Sequence, residues 1–139
     1  MPGVLIELGL GPALQQLINK INDSKLLTIQ FNNELGDNRL PSFTEIALYR
    51  VVQEVVNNMI KHAQAKTIDI YLKQQGQHIR LDISDDGKGF DIQSLENSKG
   101  IGLQNIFSRI KMLHGTVELN SSIGIGTRIH VNLPYVDNE

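Results

Sequence analysis

Three short stretches of this chain alternate strictly between apolar and polar residues: Ile68/Ile70/Leu72, Ile79/Leu81/Ile83 and Ile129/Val131/Leu133. Successive side chains on a strand point to opposite faces, so each stretch offers one face to a core and one to water. A sheet of that kind needs a cover on one side. The sequence supplies one, because Ile46, Tyr49, Val52, Val56, Met59 and Ala63 recur at helical spacing and form an apolar stripe. The two patterns together point to an α+β two-layer sandwich, a mixed β-sheet with helices packed on one face.

The remaining elements fit between these. Leu14, Leu17, Ile18 and Ile21 mark a helix that starts at Gly11-Pro12 and runs to about Asp23, and Leu27, Ile29 and Phe31 mark a half-buried strand. Ser42 and Glu45 have the S-x-x-E spacing of a capping box, which predicts the start of the long helix; its stripe continues to about Ala65. The second and third strands join through Gln75 to Gln77 with a central glycine, as a hairpin does. A polar stretch from Asp86 to Gly100 precedes a helix carrying Leu103, Ile106, Phe107, Ile110 and Leu113, with Gly115 expected as its C′ residue. A last hairpin turns around Gly124 to Gly126.

With 139 residues, 40% of them hydrophobic, the chain is one domain that buries roughly two-thirds of its unfolded surface without staples. The absence of cysteine excludes disulfide scaffolds, thiolate zinc sites and cysteine nucleophiles. A formal net charge of -2 gives no field for nucleic acid or an anionic membrane. No apolar run approaches the roughly 20 residues of a membrane helix, and Glu7 interrupts the early apolar stretch where a signal peptide would need continuity. The chain therefore reads as soluble and cytoplasmic, with no nucleic acid partner and no membrane contact of its own. Residues 1–12, apolar but aperiodic, read as the remnant of a connection to an upstream domain, residues 13–136 as the domain itself and 137–139 as a tail.

Four features carry chemistry. In the long helix Glu54, Asn58 and Lys61 fall at i, i+4 and i+7 and share a face. A solvated face explains such a stripe, yet Asn is a poor interior helix former, and its amide oxygen is a hard ligand suited to Mg²⁺, with a carboxylate one turn away able to act as a base. Asp85-Asp86-Gly87-Lys88-Gly89 ends a strand. There a carboxylate can accept from an exocyclic amine such as that of adenine, although an Asp-Gly turn accounts for the same residues. Gly100-Ile101-Gly102-Leu103 leads into a helix, where free N–H groups favour phosphate. Neither a P-loop nor a dinucleotide fingerprint occurs in the chain. Gly126-Thr127 opens the last strand, where a turn explains the glycine and the Thr127 hydroxyl suits either a strand or a ligand.

In this order, Gln53-Glu54-x-x-Asn57-Asn58-x-x-Lys61-His62-Ala63, Asp85-x-Gly87-x-Gly89, Gly100-x-Gly102-Leu103 and Gly126-Thr127 resemble the N, G1 and G2 boxes and closing G-T of the catalytic ATP-binding domain of sensor histidine kinases. That domain has the Bergerat-type fold shared with gyrase B, HSP90 and MutL. The N-box form and the short lid are similar to those of the nitrate-sensor-like subgroup, whose lead-in also resembles Leu5 to Leu14. The resemblance implies an ATP-dependent protein-histidine kinase with ATP and Mg²⁺ as cofactors. Asn58 would hold the ion, Glu54 would be the polar partner or base, and Lys61 and His62 would face the phosphates. Asp85 would accept the adenine amino group between Gly87 and Gly89. Gly100, Gly102 and Leu103 would flank the lid and phosphates, the Asp86 to Gly100 loop would be that lid, and Thr127 would support the adenine pocket through a water.

The resemblance also implies partners: an upstream dimerisation domain bearing the phosphoacceptor histidine, and a response regulator. None of His62, His78, His114 and His130 has the acceptor's setting. His78 and His130 fall on the polar faces of strand patterns, and His114 lies at a helix C-terminus. Two other readings remain: an anti-sigma-factor-type serine kinase, which uses the same fold at similar length, and a catalytically silent nucleotide-binding docking module.

Overall fold

In the computed structural model, residues 2–89 and 101–134 are described. The order is α1 (Gly3–Leu8), α2 (Leu10–Asp23), β1 (Thr28–Asn33), α3 (Ser42–Asn58), a π turn (Met59–Ala63), β2 (Thr67–Gln75), β3 (His78–Asp85), α4 (Ile101–Met112), β4 (Thr116–Ser122) and β5 (Gly126–Pro134). The strands form one sheet in the order β1-β2-β3-β5-β4. β1 runs parallel to β2 and every other pair is antiparallel, so the sheet is mixed, as the sequence predicts.

Register follows from the alternation. Ile70 pairs with Ile83 and Leu72 with Leu81, while Ile83 pairs with Ile129 and Leu81 with Val131. Each apolar residue thus sits beside another on the covered face, and a one-residue slip would turn the whole set to water. Ile68, Ile70, Leu72, Ile79, Leu81 and Ile83 have no exposed surface at all. Leu48, Val51, Val52, Val55 and Val56 of α3 and Ile106 and Ile110 of α4 complete that core. The opposite face carries Asp69, Tyr71, Asp82, Ser84, Arg128 and His130, none of them buried.

Several local readings are corrected by the structure. The lead-in is not aperiodic coil: residues 3–8 form α1, and Gly9, at φ +100°, closes it and opens α2. Ser42 and Glu45 do not make a capping box. The N-cap is Pro41 with no side-chain bond, and Glu45, only 2% exposed, turns back on the chain before the helix. Its carboxylate accepts from the Leu40 amide (3.2 Å) and from Arg39 Nε (3.1 Å) and Nη2 (3.0 Å). The same guanidinium donates to the carbonyls of Ile6 and Glu7 at the end of α1. A buried carboxylate without the cation would be costly, so the pair holds α1 against the start of α3. Gly9 is needed beside it, because a Cβ there would lie 2.7 Å from Arg39 Cδ. At the other end the α-helix stops at Asn58 and the π turn carries the chain on to Ala63, where Gln64 takes a left-handed conformation.

The last helix ends differently from expectation. His114, at φ +62°, is the left-handed residue, and its amide donates to Lys111 O while that of Gly115 donates to Ile110 O. This is a Schellman ending with His114 at C′ and Gly115 at C″. Gly115 is required by space: a Cβ would meet the Leu133 side chain and sit 2.6 Å from Asn132 O. We expect Gly115→Ala to destabilise the fold by about 1–3 kcal/mol. We expect His114→Gly to stabilise it by roughly 0.5–1 kcal/mol by removing a side chain from the left-handed region. Urea unfolding of the two variants at equal m-value checks both signs.

Candidate nucleotide-binding site

Asp85 continues the inward parity of Ile79, Leu81 and Ile83 to the last position of β3. It sits in register between Ile68 on β2 and Thr127 on β5. Its Oδ1 accepts from the Gly87 amide at 2.7 Å, and the Thr127 backbone also donates to the carboxylate. Oδ2 is sealed from solvent and has no partner. Burial pushes the carboxyl above its ordinary value, against the lowering effect of those two amides. An acceptor left without a donor in such a place costs free energy in the empty protein and is restored by a ligand that brings one.

The neighbouring carboxylate has a different task. Asp86 Oδ1 accepts from the amides of Lys66 (2.8 Å) and Thr67 (3.0 Å), which tie the end of β3 to the segment leaving the π turn. Those bonds hold its carboxyl below the usual range. Of the two aspartates, one is committed to the fold and one keeps an oxygen free.

The glycines around Asp85 are there for close approach. A Cβ on Gly126, whose φ is +136°, would collide with the Asp85 carbonyl oxygen, and one on Gly89, at φ +65°, with that of Ser122. Gly124 N donates to Lys88 O at 2.6 Å, so the chain beyond Asp85 is pinned to the β4–β5 turn. Thr127 is buried, and its hydroxyl lies 2.9 Å from Ser121 Oγ. Asp85, Gly87, Gly126 and Thr127 are thus brought together as the sequence suggests.

On α3, Glu54 and Asn58 are half-buried and one turn apart, whereas Lys61 lies on the π turn and is exposed. The i, i+4, i+7 reading therefore holds for the first two alone, because a π turn shifts the phase of the residues beyond Asn58. His62 is on the same π turn, and Gly102 and Leu103 lie in the first turn of α4. Gly100 and most of the expected lid, residues 90–100, lie outside the described residues. Sequence reasoning missed Arg109 of α4, whose Nη2 is 4.0 Å from Glu54 Oε1. An ionisable residue flanked by the core positions Ile106 and Ile110 was the available signal.

A one-sided mixed sheet with a carboxylate at a strand end and a polar turn on the covering helix is an α+β sandwich with a candidate ligand site at the end of β3. The comparisons agree: the family model described as "Histidine kinase-, DNA gyrase B-, and HSP90-like ATPase" matches residues 43–137, and the chain belongs to that family. It is 33% identical over 138 residues to the signal transduction histidine-protein kinase/phosphatase DegS of Bacillus subtilis (strain 168), covering 96% of this chain and 36% of that protein. A second DegS, from Brevibacillus brevis, is 31% identical over 135 residues, covering 97% and 35%. The chain thus spans about a third of the length of these curated relatives. In fold it is similar to the histidine kinase domain of the Erythrobacter litoralis EL346 blue-light activated histidine kinase, with a TM-score of 0.75 at 20% identity over 90% of this chain and 60% of that one. The fold and the family identify the ATP-binding catalytic module of the histidine-kinase type.

Replacing Asp85 by Asn tests the site from both sides. Affinity for ATP should fall by about 1–3 kcal/mol, the loss of a charged hydrogen-bond partner. The effect on the empty protein has the opposite sign. A carboxyl raised by burial opposes folding fully at pH above its folded value and not at all below its unfolded one. Asp85→Asn should therefore melt above the parent at pH 7, with the gap closing as the pH falls through the carboxylate range. Calorimetric titration and thermal melts over that range read the two effects.

Proposed function

We propose that this domain binds Mg-ATP and donates the γ-phosphoryl group to a histidine on an upstream dimerisation domain, from which it passes to a response regulator in a phosphorelay. The observation that carries this reading is the buried, unpartnered Oδ2 of Asp85, an acceptor suited to the adenine amino group, with Gly87 and Gly89 beside it and Thr127 supporting the pocket through a water. Asn58 supplies the amide oxygen for the metal. Mg²⁺ in such sites is bound by one or two protein ligands together with phosphate oxygens and water. When bound, the ion neutralises charge on the phosphates. In this reading Lys61, His62 and the backbone amides of Gly100, Gly102 and Leu103 serve the phosphates, and Glu54 takes the proton of the attacking imidazole. Catalysis in such a site is chiefly positioning and charge compensation.

In this reading residues 1–12 are the link to the dimerisation domain, 13–136 the catalytic unit and 137–139 a tail, and the reaction takes place in the cytoplasm. No helix among the described residues is long and apolar enough to cross a membrane. Titration with an ATP analogue should show binding that requires Mg²⁺, and Asn58→Ala should abolish that requirement. The phosphorylated product of the kinase should be acid-labile, as phosphohistidine is. An acid-stable phosphate on a small protein substrate would replace this reading with that of a serine kinase, and binding without any transfer would leave a docking module.

A further inference from the structure

Thr127 is the cross-strand neighbour of Asp85, and its backbone N–H donates to the Asp85 carboxylate. On its other side it pairs with Ser121 of β4, and the two hydroxyl oxygens are 2.9 Å apart. Thr127 and Ser121 keep the parity of the pair Leu119 and Ile129, which packs in the core, so both hydroxyls stand on the helix-covered face with Asp85. Either hydroxyl could give the proton in their contact, and a third group decides which one does. Ser121 Oγ also donates to the carbonyl oxygen of Gly126, at 3.1 Å. A carbonyl only accepts, and a serine hydroxyl has one proton. With that proton on Gly126 O, the bond between the hydroxyls is made by the Thr127 proton. The reverse arrangement would leave the Gly126 contact without a proton and the Thr127 hydroxyl, in a residue only 6% exposed, with no acceptor among the described residues. Gly126 holds the end of this chain in place, because its backbone is packed against the Asp85 carbonyl.

We propose that Ser121 is a specificity-determining residue of the nucleotide site: by taking the Thr127 proton it selects a 6-amino purine over a 6-oxo purine. The inference rests on the roles given to Asp85 and Thr127 above and adds what Ser121 does behind them. With its proton committed, Thr127 Oγ1 offers lone pairs alone, beside an ionised carboxylate that also only accepts. The water held by Thr127 therefore gives one hydrogen to Oγ1 and keeps one for the base. Adenine suits that supply, because its amino group donates to Asp85 and its ring N1 accepts the remaining hydrogen. A 6-oxo purine turns an oxygen toward Asp85, and two acceptors can be joined only by a water that gives a hydrogen to each. Thr127 has already claimed one of them. Without Ser121 the Thr127 hydroxyl is free to donate to the water, which then has both hydrogens for the carboxylate and the base oxygen. Ser121 thus works against the wrong base rather than for the right one. A Thr–Ser pair across two strands also steadies a sheet, but the contact with Gly126 is what gives this pair a direction.

The test is calorimetric titration of the chain, with Mg²⁺ present, by ATP and by inosine triphosphate, its 6-oxo counterpart. The parent should prefer ATP. Ser121→Ala should bind inosine triphosphate at least about fivefold tighter than the parent does, the worth of about one neutral hydrogen bond, and the preference for ATP should shrink accordingly. Ser121→Val, a strand former without the hydroxyl, should do the same and serves if the alanine variant does not fold. Ser121→Thr, which keeps the hydroxyl, should retain the parent's preference. Adding Thr127→Val to Ser121→Ala should remove the gain, because the effect passes through that hydroxyl. An unchanged preference in Ser121→Ala overturns the proposal, as does one that shrinks only because ATP binds more weakly, or a gain that survives Thr127→Val. Equal losses for both nucleotides, with a lowered melting temperature, would make Ser121 a tie of the β4–β5 turn and end the proposal too. A parent that binds both nucleotides equally refutes selection at the 6-position. A parent that binds neither refutes the nucleotide reading itself, and the role of Ser121 with it.

Discussion

One face of the sheet is sealed and the other is wet, and the rest of the molecule is arranged around that asymmetry. Ile68, Ile70, Ile79, Leu81 and Ile83 are without exposed surface, and hydrophobic burial on this scale is the dominant favourable term in folding. Because the cover lies on one side only, α3 must bury its valines against the strands and still present Glu54 and Asn58 at its edge. Asp85 meets the same constraint from the sheet. Its parity sends it toward the helices, but burial has already fallen from complete at Ile83 to partial at Asp85. A carboxylate two residues deeper would have no access to a ligand. One displaced outward would be solvated and would lose its selectivity for a donor.

The two adjacent aspartates divide the work that this position requires. Asp86 anchors two amides of the segment between the π turn and β2 and so keeps the end of β3 in place. Asp85 can then be left with an unmet oxygen, a small local instability that the surrounding fold absorbs. The backbone around it is packed so closely that Gly126 cannot bear a side chain. The backbone beside Asp85 is thus closely packed, with one carboxylate oxygen left over for a donor.

Most of the architecture was legible in the sequence because it depends on periodicity. The three alternating stretches became β2, β3 and β5, Tyr49, Val52 and Val56 of the helical stripe lie on the buried side of α3, and the glycine-centred turn at Gln75 to Gln77 became the hairpin. What was not legible depends on contacts distant in sequence or on small differences in backbone energy. The S-x-x-E spacing has the letters of a capping box, yet Arg39 offered the buried Glu45 carboxylate a charged partner, and that pair, tied to α1, prevailed over the local bond. Gly115 follows the usual rule for a helix stop, but the space beside Leu133 needed a residue without a side chain at C″ and left the strained position to His114. At the candidate site, Asp85 was singled out by its place at a strand end and Thr127 by the family resemblance, and the structure puts the two in register. Asp86 and Arg109 were not, because their partners lie on other elements.

The change from α-helix to π turn at Met59 separates two properties that a single helix would couple. Up to Val56 every inward residue is set by the strands beneath it, and rotation there would expose the core. Beyond Asn58 the wider turn breaks the phase, so the direction of Lys61 is no longer dictated by where the valines point. Glu54 and Asn58 stay in phase with the valines, and Met59 still packs in the core, so the release applies to the exposed part of the π turn alone. Variation at Lys61 can change the polar surface there without disturbing the packing of α3.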